Sequence, residues 1–414
     1  MASLRRNQML DRQPFLFFRN HPIITVVLVL LIGVGGYIAY VLTRIPEPPD
    51  LNYPAGASRE EQVRYLLQEH IYHKGIQPVH SIMAYLENQP EGIVIHEAVG
   101  TLGRDDTPIE ADYQFKTASI TKVAVATVIL QLVEEGKIHL DDPANMYLED
   151  IDYLRYDDLH ILDGVSYADE ITIDQLLQHR TGLADIFTDT ETRFIISVLT
   201  HPKRTYSVQR VFETYYRYGL NETPHFRPGE GYYYSDTNYM LLGLIIEQVS
   251  GDDLPSQLRK RIIEPLEMEN TYFEYYEPAT GHGRQVDTYL AFINVTRYAK
   301  TSHEWGGGGW VSTTKEMATF IQALFAGRLF EDEATLALML DNSENAAEGK
   351  TYARGINIYE LEGEQYYGHG GYYGSLLLYH PQKRVTLSVH VAQVVQPFDP
   401  EPLVVALLDS VGAG

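Results

Sequence analysis

The chain contains no cysteine among its 414 residues, and its basic side chains are far outnumbered by acidic ones. The lack of cysteine excludes disulfide bonds, cysteine-ligated zinc and a cysteine nucleophile. With 32 lysine and arginine residues against 56 aspartate and glutamate residues, the formal charge is −24. We therefore expect no nucleic-acid partner, because phosphate binding requires a basic face. A hydrophobic content of 44% provides a sizeable core and excludes a disordered chain.

Two common hydrolase signatures are also missing. The chain has no Gly-x-Ser-x-Gly sequence, which excludes the nucleophile turn of α/β-hydrolases. It has no His-Glu-x-x-His sequence, which excludes the zinc-protease helix. We therefore expect neither a metal ion nor a cofactor.

Residues 23–42 contain no charged side chain. Four arginines precede this stretch and Arg44 follows it, so the excess of positive charge on the first side predicts a cytoplasmic N-terminus. We predict a cytoplasmic tail (1–22), a transmembrane helix (23–42) and a linker (43–57), with the rest of the chain on the periplasmic or extracellular side. A cleaved signal peptide is the alternative, although no small-x-small cleavage site follows the apolar run.

Strand-like segments occur at both ends of the remaining chain, and helical segments occupy its middle. Near the start, two such segments flank Asn88-Gln89-Pro90 as a hairpin. The later predicted strands are Tyr352–Tyr359, Gln365–His369, Ser375–Tyr379 and Val385–Val394. We predict one domain over residues 58–414, with a sheet built from about 58–118 and 303–414 and a helical lobe over about 119–302.

Ser119 and Lys122 stand at the start of an apolar helical run. Residues three apart lie on the same face of a helix, so the hydroxyl and the amine can point into one cleft. The positive end of the helix favours an anion developing near Ser119. Alone, this short motif fits a solvated helix start better than a catalytic site.

Two further segments carry residues that suit the same chemistry. In Tyr234-Ser235-Asp236, the phenol can act as a base only if nearby positive charge lowers its pKa, and Lys122 is the expected source. Packing at the edge of the core is the alternative for this tyrosine. In His369-Gly370-Gly371, the glycines allow a substrate to approach a strand closely, and the histidine can supply a hydrogen bond or a positive charge.

Together, Ser119-x-x-Lys122, Tyr234-Ser235-Asp236 and His369-Gly370-Gly371 resemble the three motifs of serine β-lactamases and penicillin-binding peptidases. They most resemble the class C β-lactamase-like group, which includes esterases and D-amino-acid peptidases. Three linking segments are similar as well: Ile171-Thr-Ile-Asp-Gln-Leu-Leu-Gln-His-Arg-Thr-Gly-Leu183, Glu264-Pro-Leu-Glu-Met268 and Gly308-Gly-Trp-Val-Ser-Thr313. The resemblance implies an α+β fold, in which an antiparallel sheet is flanked by helices and carries an inserted helical lobe.

The resemblance also implies roles for individual residues. Ser119 would be the nucleophile, and Lys122 would hold it and share its proton. Tyr234 would be the general base, and His369, in place of the family's lysine, would orient Tyr234 or the substrate. The backbone N–H groups of Ser119 and Tyr372 would form the oxyanion hole. The expected substrate-binding residues are Asp236, Gly370, Gly371 and Tyr372.

Asp236 departs from the Tyr-x-Asn form of the second motif. A carboxylate there pairs with Lys122, keeps it protonated and repels a substrate carboxylate, unless Arg354 or His369 offsets the charge. We therefore favour a membrane-anchored serine hydrolase that cleaves an ester or amide, in a small molecule or peptide, through an acyl-Ser119 intermediate. The alternatives are a peptidoglycan DD-peptidase or β-lactamase, and a non-catalytic module that binds cell-wall fragments.

Two groups of side chains near the motifs have simpler interpretations. Asp185, Asp189 and Glu191 are expected on a solvated loop face. Six tyrosines flank the second and third motifs, either as core packing or as an aromatic rim that selects bulky acyl groups: Tyr232, Tyr233, Tyr366, Tyr367, Tyr372 and Tyr373.

Overall fold

The computed structural model describes residues 53–413, apart from 73, 74, 76, 191, 192 and 282. The predicted membrane span at residues 23–42 lies outside this range. Within the described part of the chain, no helix has the length and apolar character that crossing a bilayer requires. The proposed tail, span and linker therefore stay predictions.

The strands of the described residues differ greatly in length. In chain order they are β1 (Ser81–Asn88), β2 (Ile93–Gly100), β3 (Phe115–Lys116), β4 (Ile161–Leu162), β5 (Val165–Ser166), β6 (Tyr272–Phe273), β7 (Tyr289–Leu290), β8 (Ile293–Asn294), β9 (Trp310–Ser312), β10 (Asn357–Leu361), β11 (Glu364–Gly371), β12 (Ser375–His380) and β13 (Val385–Val391).

Most helices lie between β3 and β10. They are α1 (Arg59–Glu69), α2 (Thr121–Glu134), α3 (Asn145–Leu148), α4 (Ile173–Leu177), α5 (Arg193–Thr200), α6 (Val208–Arg217), α7 (Asp236–Ser250), α8 (Leu254–Leu258), α9 (Val295–Tyr298), α10 (Trp305–Gly308), α11 (Thr314–Phe325), α12 (Glu333–Leu340), α13 (Ser343–Ala346) and α14 (Pro400–Ser410). A π-helical turn, Arg259–Ile263, continues α8. Short 3-10 turns occur at Ala118–Ile120, Asp152–Leu154, Tyr156–Asp158, Ala168–Glu170 and Leu220–Glu222.

The main sheet joins the two ends of the domain. Its six strands follow the order β10-β11-β12-β13-β1-β2, and each neighbouring pair is antiparallel. Strand β1 pairs with β13 from Ile82 opposite Val391 to Asn88 opposite Val385. The prediction of one antiparallel sheet built from both ends of the chain is therefore confirmed.

The alternation of side chains along β1 divides the core into two layers. Ile82 and Leu86 point to one face, where they join a cluster with α1 and α14. Met83 points to the other face and joins the larger cluster that contains α2, α7 and α11. The sheet is thus covered by helices on both sides, as an α+β fold requires.

Local sequence signals fix several element ends. Ser58 caps α1 in a reciprocal capping box with Glu61, and Gly251, at φ 72°, ends α7. The strand predicted over Tyr352–Tyr359 begins later than expected, as β10 (Asn357–Leu361), because Gly355, at φ 81°, makes a turn before it. The turn is closed by a 2.8 Å hydrogen bond from the Ala353 N–H to the Ile356 carbonyl.

Candidate active site

The turn that carries Ser119 is held in an unusual backbone conformation. Ala118 has φ 48°, in the left-handed region that residues with a side chain rarely adopt. The preceding residue, Thr117, is fixed because its N–H donates to the Trp310 carbonyl at 3.0 Å. Ser119 is partly exposed at the start of the buried helix α2. The fold therefore keeps this hydroxyl partly exposed while the helix behind it is buried.

Lys122 is fully buried one turn into the same helical segment. Its Nζ donates to Ser119 Oγ at 3.0 Å, to Asp236 Oδ1 at 2.5 Å and to the Gly307 carbonyl at 2.6 Å. These three acceptors use all the donors that an ammonium has. A side chain at Gly307 would place its Cβ 2.7 Å from Asp236 Oδ1, so only glycine leaves this pocket open. The structure brings together Ser119, Lys122 and Asp236 as the motifs predict.

Tyr234 completes the group around the serine hydroxyl. Its ring centroid lies 5.1 Å from Lys122 Nζ, and Ser119 is near enough to act on the pKa of its phenol. Burial, and then the Asp236 carboxylate, raise the pKa of Tyr234 well above its ordinary value, although Ser119 acts in the opposite direction. The expected lowering of this pKa by Lys122 is wrong, because burial and the Asp236 charge prevail. Tyr234 is therefore a protonated phenol near neutral pH.

His369 lies on β11 but does not supply a positive charge. Burial, together with the nearby Lys122 charge, lowers the pKa of His369 to about 3. Its Nδ1 is 2.6 Å from the Gly370 carbonyl, and its Nε2 is 3.2 Å from the Tyr352 hydroxyl. Its ring centroid is 6.2 Å from that of Tyr234. His369 therefore faces Tyr234 as a neutral ring, and its hydrogen-bonding contacts are with Gly370 and Tyr352.

The third motif packs directly on the segment that precedes the nucleophile. Ser375 Oγ donates to the Thr117 carbonyl at 3.0 Å. A Cβ at Gly371 would lie 2.3 Å from the same carbonyl oxygen, so glycine is required for this close approach. The Gly374 N–H closes the following turn on the Gly371 carbonyl at 3.0 Å. This contact brings the Gly371–Tyr372 backbone next to the Ser119 turn, where an oxyanion hole is expected.

Asp185 is buried, contrary to the prediction of a solvated face. It accepts hydrogen bonds from the backbone N–H groups of Asp236 at 2.6 Å and of Phe187 and Thr188 at 2.8 Å each. Burial and the nearby Asp236 carboxylate raise the pKa of Asp185 to about 6. The carboxylate holds the first residue of α7 and therefore fixes the second motif. Asp189 is half-buried and accepts a hydrogen bond from the Tyr233 hydroxyl at 2.7 Å, and Glu191 lies outside the described residues.

Sequence reasoning missed His179, which packs against the base. The residue is fully buried at φ 58°, and its ring centroid is 4.2 Å from that of Tyr234 and 4.8 Å from that of Tyr352. The Ser235 N–H donates to its Nδ1 at 3.2 Å. Burial lowers the pKa of His179 well below the ordinary value, so the imidazole is neutral. The only sequence signal for His179 is its position within residues 171–183, one of the segments that resemble the family.

A second ionic cluster, also missed, lies beside the cleft. Buried Lys116 pairs with Glu274, and Tyr373 donates a hydrogen bond to Glu304. Burial raises the pKa of Glu304 to about 8, and the charges of Glu274 and Asp236 act in the same direction. Glu304 directly precedes α10, whose Gly307 carbonyl accepts from Lys122, so the cluster connects the third motif to the amine.

The six tyrosines divide between packing and exposure. Tyr366 is buried in the cluster on the far face of the sheet, and Tyr373 is buried against Glu304. Tyr372 is 56% exposed next to the third motif. An aromatic rim that selects substrates would thus include Tyr372 but neither Tyr366 nor Tyr373.

No group of three or more histidine, cysteine, aspartate or glutamate residues in the described ranges could hold a metal ion. The chemistry that the cleft can perform is transfer of a proton from Ser119. The hydroxyl lies between a phenol and an ammonium, and the ammonium is held by a carboxylate and a carbonyl. This arrangement suits attack on a carbonyl carbon followed by acyl transfer.

Comparison with known proteins matches residues 83–409 to the model of the Beta-lactamase family. A putative D-alanyl-D-alanine carboxypeptidase of Salmonella paratyphi A is 25% identical over 323 residues, which cover 68% of this chain and 70% of that protein. A D-stereospecific amidohydrolase from Streptomyces sp. superposes with a TM-score of 0.69 at 24% identity, covering 83% of this chain and 98% of that one. A D-amino acid amidase from Ochrobactrum anthropi SV3 gives 0.67 at 22% identity, with 85% and 100% covered. The chain therefore belongs to the Beta-lactamase family, within the superfamily of serine β-lactamases and penicillin-binding proteins, and is a serine hydrolase.

Proposed function

We propose that the protein is a membrane-anchored, extracytoplasmic hydrolase that cleaves an amide or ester through an acyl-enzyme on Ser119. The observation that carries this proposal is the hydrogen bond from Lys122 Nζ to Ser119 Oγ at 3.0 Å, with the Tyr234 ring beside the same amine at 5.1 Å from centroid to Nζ. The anchor and the location rest on the sequence of residues 1–44 alone.

In the proposed reaction, Ser119 Oγ attacks the substrate carbonyl carbon and transfers its proton to the Tyr234 oxygen. Since Tyr234 is a protonated phenol, it accepts this proton while giving its own to the leaving nitrogen or oxygen. The carbon–leaving-group bond then breaks and leaves an acyl ester on Ser119. Water attacks this ester by the reverse proton path and releases the acid. The Lys122 ammonium donates a hydrogen bond to Ser119 Oγ throughout the reaction and holds it in position.

The charges around the cleft indicate the kind of substrate. The Asp236 and Glu274 carboxylates are already paired with Lys122 and Lys116, and Glu304, whose pKa is raised to about 8, is mostly protonated near neutral pH. These described side chains therefore offer no unpaired cation to a substrate carboxylate. Arg354 is bound to Asp174 at 2.6 Å and to two backbone carbonyls, so it does not offset Asp236. We infer that the substrate carries no carboxylate beside the scissile bond. An amide with a free ammonium group, or a neutral ester, fits best.

Two similar solved structures are named for hydrolysis of D-amino acid amides or D-stereospecific amides. Their names support a D-amino acid amide as the first substrate to test. A DD-carboxypeptidase is the second candidate, supported by the name of the Salmonella relative. Its substrate ends in a carboxylate, which the Asp236 charge disfavours.

Intact-mass spectrometry of the full-length protein tests the proposal. We expect D-phenylalanine amide and a p-nitrophenyl ester to be turned over, with a transient adduct on Ser119. The Ser119→Ala variant should show neither turnover nor labelling by a fluorophosphonate probe. The Ser256→Ala variant, changed at an exposed serine on α8, should behave as wild type.

Other outcomes distinguish the alternatives. Turnover of nitrocefin or a D-Ala-D-Ala peptide, with none of the amide or ester, would replace this proposal with a β-lactamase or DD-peptidase. No adduct with any probe, together with binding of cell-wall fragments that Ser119→Ala leaves unchanged, would indicate a non-catalytic binding module.

A further inference from the structure

One surface of the domain exposes large apolar side chains. We call it the docking face, and define it as helix α5 (Arg193–Thr200) together with residues 289–300. Ile196 on α5 is 55% exposed, Phe292 at the turn between β7 and β8 is 70% exposed, and Tyr298 on α9 is 50% exposed. Of the apolar residues of α5, only Phe194 is buried. Single exposed apolar residues are ordinary, but a group of them marks an interaction surface.

These side chains form one continuous surface. Leu199, Phe292, Ile293 and Tyr298 line a shared cavity of about 520 Å³. The Tyr298 hydroxyl donates to the Leu199 carbonyl at 3.1 Å, which ties α9 to the end of α5. The Lys300 N–H donates to the Pro202 carbonyl at 2.9 Å and joins the next residues of both segments.

The docking face has a basic rim in a strongly acidic protein. Lys203 and Lys300 are exposed where the two segments meet. A second cavity of about 500 Å³, which shares Arg297 with the first, is also lined by Arg104 and Arg284, and one carboxylate, that of Asp287, lines it. Asp287 is fully buried and is shared by Arg104 and Arg297 at 3.0 Å each. Exposed Asp105 also lies 4.0 Å from Arg104, so the rim has five basic side chains against two carboxylates and is positive, although the whole chain carries −24.

We propose that the docking face lies on an anionic lipid bilayer, with Phe292, Tyr298 and Ile196 inserted at the level of the head groups. Apolar and aromatic side chains gain by leaving water for this interface, and lysine and arginine at the rim face lipid phosphates. A second copy of the chain is a poorer occupant. A two-fold contact would set one basic rim against another.

This inference does not rest on the proposed activity or on the predicted anchor. An anchor at residues 23–42 would not by itself determine which face of the domain contacts the bilayer. The docking face identifies that surface. It also gives the interaction a dependence on lipid charge, which a purely apolar contact lacks.

The absence of cysteine makes a direct test possible, because one introduced cysteine provides the only thiol. Phe292→Cys in the full-length protein would carry an environment-sensitive fluorophore. The matched control is Val165→Cys, at another two-residue strand hairpin, where Val165 is 51% exposed. Both labelled proteins would be placed in nanodiscs of phosphatidylglycerol or phosphatidylcholine, and circular dichroism would show that each variant is folded.

We expect the label at residue 292, and not the one at 165, to shift its emission to shorter wavelength and to be quenched by lipid-borne quenchers in phosphatidylglycerol. The shift should be smaller in phosphatidylcholine and should be lost when Lys203→Glu and Lys300→Glu are combined with Phe292→Cys. Equal spectra for the two labels would overturn the proposal. So would shielding of residue 292 that rises with protein concentration in the absence of lipid, which would indicate a second copy.

Discussion

Lys122 and Asp236 form an ion pair of 2.5 Å in the cleft, so a carboxylate is bound to the amine where the family's common motif has an amide. The same carboxylate raises the pKa of Tyr234 and acts on Asp185 and Glu304. One residue thus sets the charge experienced by the nucleophile, the base and the substrate.

Replacement of Asp236 by asparagine should shift substrate preference toward molecules with a carboxylate. Removing a unit charge about 10 Å away changes an interaction by about 1.7 kcal/mol at an effective dielectric constant of 20, or somewhat more than tenfold. The measurement is the ratio of kcat/KM for a D-Ala-D-Ala peptide to that for D-phenylalanine amide. An unchanged ratio would show that Asp236 does not select against carboxylates.

Replacement of Lys122 by methionine should abolish turnover and also destabilise the fold. The change leaves Asp236 without its partner, at a cost of roughly 3 kcal/mol in the free energy of unfolding. Adding Asp236→Asn to Lys122→Met should restore most of that stability but no activity. Urea denaturation and single-turnover assays separate the two effects. If the double variant were as unstable as Lys122→Met, the lost stability would not come from the unpaired carboxylate.

Replacement of Gly371 by alanine should lower kcat by about 10²–10³, the usual effect of losing one oxyanion-hole donor. Its Cβ would lie 2.3 Å from the Thr117 carbonyl oxygen, which pushes the third motif away from the Ser119 turn. Gly370→Ala is the matched control, because its Cβ would meet nothing closer than the Tyr359 hydroxyl at 3.5 Å. Steady-state kinetics of both variants provide the check, and equal losses would rule out this account of Gly371.

Replacement of Glu304 by glutamine should change how stability depends on pH. The pKa of Glu304 is raised from 4.5 to about 8 by burial, so between these values the folded chain keeps a proton that the unfolded chain has lost. This residue therefore lowers the free energy of unfolding as pH rises from about 4.5 to 8. Urea denaturation across that range should show the free energy of unfolding of the variant rising relative to that of wild type as the pH increases. A Glu360→Gln control on the exposed side of β10 should keep the wild-type slope, and equal slopes for all three proteins would disprove this role.

The sequence predicts local features best, because their causes are local. The capping box of Ser58 and Glu61, the αL stop at Gly251 and the hairpin that ends β1 each depend on a few adjacent residues. The convergence of Ser119, Lys122 and Asp236 was also predictable, because the three motifs occur in the family's order.

Properties that arise from distant contacts were not predictable. The bond between Tyr373 and Glu304 joins residues 69 positions apart, and no spacing rule points to it. The neutral state of His369 and the raised pKa of Tyr234 follow from burial, which a sequence motif does not report. The burial of Asp185 likewise depends on the position of α7.

The pairing of β1 with β13 also constrains how the enzyme is made. The hairpin of residues 81–100 is synthesised early. Its strand β1 cannot pair with β13 (Val385–Val391) until that strand has been synthesised nearly 300 residues later, so the centre of the sheet stays incomplete until then. Such a non-local contact slows folding and leaves a hydrophobic strand edge exposed during synthesis. A polypeptide truncated before Val385 would therefore have every catalytic motif and still lack the strand that holds them in place.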